Sequence, residues 1–237
     1  MTIPAIGDYK PNLSIRYLFS QAWSAFKANV GMVFAMMITP YIVFVPVQIA
    51  MPRIMPHMTP VHGQPPAMGP FMVFFWAMFA VIFLVTIPLY AGMGFAYLRM
   101  VRGEEVGFLS IFDGFKKFPK VMGVFLLIAV AWMLGGMLLL IPGIILLVCL
   151  FPASYLVLDQ DLGVMDTMRA SWRITRGYRL RLFGACFVAW LFAFAGILAF
   201  FVGMFFTSMF SYLVFAAAVN ELTKRFAPEP PFATPIV

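Results

Sequence analysis

Charged side chains are scarce in this sequence. Asp, Glu, Lys and Arg make up 11% of its 237 residues, less than half of the about 25% with which a soluble domain faces water. The charges are also segregated: Arg53 is the only one between Lys27 and Arg99, and none lies between Lys120 and Asp159 or between Arg181 and Glu221. Histidine is rarer still, with only His57 and His62. The two cysteines, Cys149 and Cys186, lie inside apolar runs and read as small packing residues rather than a disulfide. A large water-soluble core is excluded by the first absence, and a Ser-His-Asp, Cys-His or histidine-rich metal catalyst is disfavoured by the others. No nucleic-acid-binding module is read in the chain, and no cofactor is expected.

What the sequence has in excess is apolar surface. Hydrophobic residues are 63% of the chain and the mean hydropathy is +0.97. Uncharged runs of about 18 residues or more are the mark of membrane spans. The first is expected at 30–51, with kinks at Pro40 and Pro46, and the second at 71–98. Between them, 52–70 holds six prolines and reads as a loop. The run 121–158 is 38 residues, roughly 57 Å as one helix and enough for two crossings of a core about 30 Å thick. Pro142-Gly143 marks the expected turn, with spans at 121–140 and 144–158. The run 182–220 divides near Gly203 into spans at 182–201 and 205–223. The expected fold is therefore all-α, an integral membrane bundle of six transmembrane helices in three hairpins. It forms a single membrane domain over 1–225, followed by a proline-rich tail at 226–237.

Charge orients the bundle. With the N-terminus inside, 15 of the 16 Lys and Arg fall on the cytoplasmic side and only Arg53 falls outside, as the positive-inside rule requires. Both termini are thus expected in the cytoplasm. Residues 1–12 are polar and proline-broken, so the first span is expected to insert as its own signal-anchor.

Each hairpin is preceded by an amphipathic segment: 12–29, 108–120 and 162–176. Their aromatic or methionine stripes face basic residues, a pattern that suits helices lying at an anionic headgroup boundary. Lys116, Lys117, Lys120, Arg169, Arg173, Arg176, Arg179 and Arg181 are the candidate contacts to anionic lipid or a protein partner. AWSAFKANVG (22–31), GFKKFPKVMG (114–123) and SWRITRGYRLRLFG (171–184) share an outline, which suggests three repeated units. Small residues at Gly92, Ala96, Ala185, Ala189, Ala193 and Gly196 suit close helix contacts. Asp159 and Asp161 read as helix caps. Met51, Met55, His57, Met58, His62 and Met68 carry soft ligands of the kind Cu(I) takes, although proline-rich irregular spacing gives them no fixed site and no metal is assigned.

AWSAFKAN, RGEE followed by IFDGF, the IPGI turn and VLDQDLGVMDTMRASWRITRG resemble a family of bacterial six-span inner-membrane proteins of poorly known function. It includes the membrane domain attached to some glycerophosphoryl diester phosphodiesterases. The resemblance covers about residues 15–225 and implies six helices with a cytoplasmic polar face. It implies no catalytic residue here, because the family's chemistry lies in a separate soluble domain. The expected function is a non-enzymatic accessory or scaffold subunit of the bacterial inner membrane, with a protein partner or a second copy of itself. The alternative is a transporter or lipid-handling protein without buried coupling charges.

Overall fold

The computed structural model describes residues 7, 9–54, 68–138, 140–198 and 200–226. Within them the chain is helical, with no strand ladder. The helices in chain order are α1 (Ile15–Ala28), α2 (Val30–Ile54), α3 (Met68–Val101), α4 (Asp113–Lys116), α5 (Phe118–Leu138), α6 (Leu140–Leu150), α7 (Ala153–Asp159), α8 (Val164–Thr175), α9 (Arg179–Leu198) and α10 (Phe200–Thr223), with a 3-10 turn at Phe108–Phe112 before α4. A short helix followed by long ones thus recurs three times. Each of the three related sequence segments covers the joint between its short helix and the next long one, at Asn29, Lys117 and Gly177.

Among the described residues, three stretches are long and apolar enough to cross a membrane: Phe75–Val101, Phe118–Gly135 and Arg179–Gly196. At most a third of each is buried inside the protein. What they leave open is large and apolar, including Trp76 (57% exposed), Trp132 (61%) and Trp190 (50%). Surface of that size and chemistry is incompatible with water and compatible with lipid. This is a membrane protein.

The two ends of α3 differ. Val73, Trp76, Phe79 and Val81 lie open, whereas Leu89, Met93, Tyr97 and Met100 are buried. The buried end carries the packed core, built with α1, α7, α8 and α10.

Glycine and proline have different jobs from the turns expected of them. α6 includes Pro142 and Gly143, and residue 139, between α5 and α6, lies outside the described residues. A side chain on Gly135 would come within 2.7 Å of the Cα of Gly143, so this pair lets the hairpin close. Similarly α10 contains Gly203, and α9 ends at Leu198. A Cβ on Gly196 would meet the Thr207 hydroxyl at 2.0 Å and the Gly203 carbonyl at 2.6 Å. The expected span 144–158 is divided by a turn at Phe151–Pro152 into the end of α6 and α7. Of the expected loop 52–70, the ends belong to α2 and α3, and 55–67 lies outside the described residues. α2 stays helical through Pro40 and Pro46.

A close backbone approach joins α3 to the segment before α5. A Cβ on Gly92 would lie 1.8 Å from the Ile111 carbonyl, and one on Gly114 would lie 1.9 Å from the Pro88 carbonyl. The segment 108–116 thus runs back along α3, backbone against backbone, and presents Phe108, Phe112 and Phe115 outward.

α1 does not lie flat across the end of the bundle. Tyr17 bonds to Glu221, Phe19 packs on Phe210 and Phe26 packs on Phe206, contacts spread over about 22 Å of α10. Its apolar face is covered by protein. On α8 the buried face is Thr167, Ala170, Ser171 and Ile174, while Met165 and Trp172 are exposed. Small residues seat α8 on α6, where Ser171 Oγ donates to the Cys149 carbonyl at 2.6 Å.

Gly114→Ala should destabilise the protein by about 1–3 kcal/mol, because the Cβ meets backbone that cannot rotate away. Gly184→Ala, where a Cβ meets open space, should be nearly neutral. Thermal unfolding of both variants in the same detergent checks the difference.

Candidate functional site: a polar layer at the helix ends

The ionisable residues excluded from the apolar runs gather where the helices end. Arg102, one residue past α3, donates to Asp159 at the end of α7 through two bonds of 2.5 and 2.9 Å. Its Nε donates to Asn220 Oδ1 on α10 at 3.2 Å, and Gln160 Nε2 also donates to Asp159 at 2.8 Å. Asp159 is only 6% exposed. Burial alone would lower the pKa of Arg102, but the hydrogen bonds and charge of Asp159 outweigh it and raise the value. A planar guanidinium suits this paired geometry, which a lysine could not reproduce.

A second node joins the next pair of elements. Asp161 accepts from Lys120 at 2.9 Å and pairs with Lys117 at 3.0 Å. These bonds hold its carboxyl below the usual carboxylate range, with that from Lys120 the leading cause. The backbone of Asp161 has φ of 49°, a left-handed conformation that aspartate tolerates better than most residues. Asp159 and Asp161 therefore bridge helices and do not cap α8, whose N-cap is Gly163.

The third node ties the N-terminal segment to α10. Glu221 accepts from Tyr9 at 2.8 Å, the Asn12 backbone at 3.3 Å and Tyr17 at 3.2 Å, and pairs with Lys224. The bond to Glu221 raises the pKa of Lys224 above the usual lysine value. Beside it, Arg225 donates to the carbonyls of Ile174 at 2.5 Å and Arg176 at 3.0 Å, satisfying the last carbonyls of α8. Arg225 also lies over the Tyr178 ring at 5.0 Å.

The eight expected contact residues divide into two sets. Lys116 pairs with Asp113 at 2.6 Å, Lys117 and Lys120 are held by Asp161, and Arg169 lies 3.6 Å from Asp166. Arg179 stacks over Trp172 at 4.0 Å. Arg173, Arg176 and Arg181 are exposed, and among the described residues none of the three has a carboxylate partner. Arg181 lines an open groove of about 420 Å³ between the start of α9 and residues 11–15. Every described carboxylate except Glu105 is engaged with a cation.

Among the described residues no three His, Cys, Asp or Glu side chains are grouped to hold a metal. The Met/His segment falls mainly in 55–67, outside those residues. The interlocking roles of Arg102, Glu221, Tyr9 and Tyr17 escape the sequence reading. Its one available signal is position, since Glu221 is the first charge after a long apolar run.

No family model, curated protein or solved structure matches this chain.

Arg102→Ala leaves Asp159 buried without its partner and should cost about 3 kcal/mol, whereas Lys116→Ala, on an exposed pair, should cost under about 1 kcal/mol. Chemical unfolding in detergent measures both. The lowered pKa of Asp161 means that its contribution is present above the unfolded value of 3.8 and is lost as pH falls below it. Asp161→Asn should therefore flatten the acid limb of a stability-versus-pH curve and leave its alkaline limb unchanged.

Proposed function

We propose that the chain is a non-enzymatic integral membrane protein that serves as an accessory or scaffold subunit in a bacterial inner membrane. It crosses the bilayer six times in three hairpins: α2 with α3, α5 with the α6–α7 pair, and α9 with α10. Both termini lie in the cytoplasm, and a basic face there contacts anionic lipid or a protein partner.

The observation that carries this reading is how charge is used in the polar layer. The ends of α3, α7 and α10 meet at Arg102, Asp159 and Asn220, and the start of α5 joins them through Asp161. Helix ends that touch one another share a depth, which supports one common side for the connections that follow them. Within this layer Asp159, Asp161 and Glu221 are committed to holding helices together. Apart from the exposed Glu105, the charge left over among the described residues is positive.

The interior supports the same reading. Ser211 Oγ donates to the Ala189 carbonyl at 2.7 Å and Thr207 Oγ1 donates to the Ala193 carbonyl at 3.1 Å. These span hydroxyls tie α9 to α10, a use expected of packing rather than of a substrate path.

Purification from the native membrane in mild detergent, with identification of every protein and lipid retained, tests the proposal. A protein at fixed stoichiometry, or tightly held anionic lipid, is the expected result. A monodisperse monomer that carries neither and loses no stability on delipidation would contradict it.

A further inference from the structure

Besides Lys10, Arg16 and Lys27 near the N-terminus, the exposed cations that no carboxylate among the described residues pairs with are concentrated at the turn between α8 and α9. Arg173, Arg176 and Arg181 fall within nine residues, all exposed and none with a carboxylate partner among the described residues. Of the other five cations of the candidate set, Lys116, Lys117, Lys120 and Arg169 are paired with Asp113, Asp161 and Asp166, and Arg179 stacks on Trp172. Charge that is neutralised within the protein contributes little to an outside anion, so the eight residues are not equivalent.

Apolar side chains accompany the three arginines. Leu180 is 83% exposed, and Trp172 and Met165 are exposed on α8. Leu180 is also the second residue of α9, whose first eighteen residues form one of the membrane-crossing stretches. Covalent continuity therefore places this turn at the end of a span, with guanidinium groups and bulky apolar groups side by side. Arg179, stacked on Trp172, braces the corner, and the small-residue face of α8 holds it against α6.

We propose that this corner is the binding site for the phosphate headgroups of anionic phospholipids in the surrounding membrane. The inference rests on the membrane-scaffold reading and deepens it, naming which basic residues bind and what they bind. The occupant follows from complementarity. Guanidinium groups pair with phosphate oxygens through two parallel hydrogen bonds, and Leu180 and Trp172 enter the boundary just below the headgroups. A soluble acidic protein would match the charge and leave Leu180 in water.

The test uses the full-length protein in mild detergent with equal amounts of phosphatidylglycerol and phosphatidylcholine, and the ratio of bound lipids is read by native mass spectrometry. The wild type should favour phosphatidylglycerol, and the preference should fall as salt rises. Combining Arg173→Gln, Arg176→Gln and Arg181→Gln should lower it by about fivefold per arginine at low salt. Lys116→Gln should leave it unchanged. Millimolar inorganic phosphate should not displace the lipid, because it offers Leu180 and Trp172 nothing.

Three results would overturn the proposal. No headgroup preference in the wild type would remove its basis, and an undiminished preference in the triple variant would place the lipid elsewhere on the protein. Displacement by inorganic phosphate would make this a general anion site. The salt series on the wild type keeps the test informative if the triple variant fails to fold. A stoichiometric protein partner found together with any of these results would leave the scaffold reading standing and this site refuted.

Discussion

The bond on which the arrangement depends is the pair between Arg102 and Asp159. It joins the end of α3 to the end of α7, and through Asn220 it reaches the end of α10. These elements are far apart in sequence, and lipid supplies no hydrophobic force to gather them, because its tails are as apolar as their side chains. Association must come from packing and from polar bonds that are strong where water is scarce. Asp159 is nearly enclosed, so separating it from Arg102 would strand a charge. The neighbouring nodes at Asp161 and Glu221 repeat the same solution with lysine and tyrosine donors. The polar layer is thus a clasp made from the few charges the chain has.

Away from the clasp, glycine takes over. Gly135 faces Gly143, Gly196 faces Gly203, and Gly92 and Gly114 face carbonyls of the opposing element. At these points side chains are absent so that backbones can approach and dispersion can act over more atoms. Serine and threonine add hydroxyl bonds to carbonyls at the α9–α10 contact. The faces turned outward instead carry tryptophan, phenylalanine and leucine, an inversion of the soluble pattern that only lipid makes stable.

Much of this is legible in the sequence, and the parts that are not have a common cause. Uncharged runs mark the long helices, because removing a charge from water is the largest local cost a span can meet. The small-residue positions Gly92, Ala189 and Gly196 also stand where helices touch. Pro142 and Gly203 lie inside helices, since both residue types serve within membrane helices as well as between them. The amphipathic faces are harder still. The periodicity of α1 shows an apolar face without showing whether protein or lipid covers it, and on α8 the face with methionine and tryptophan is the outer one. The expected cation patch divides for a similar reason: spacing identifies Lys117, Lys120 and Arg173 as basic, but only three-dimensional contact shows that Asp161 neutralises the first two.

The proposed topology requires the clasp to lie on one side of the membrane, with three hairpins opening from it. Impermeant thiol labelling tests it directly, using single cysteines at Glu105, Arg176 and Gln64 in a chain whose Cys149 and Cys186 are replaced by alanine. The cysteines at 105 and 176 should be labelled only in inverted vesicles, and the cysteine at 64 only in intact cells with a permeabilised outer membrane. Labelling of 105 and 176 from opposite sides would contradict it, because the second hairpin would then cross the membrane an odd number of times.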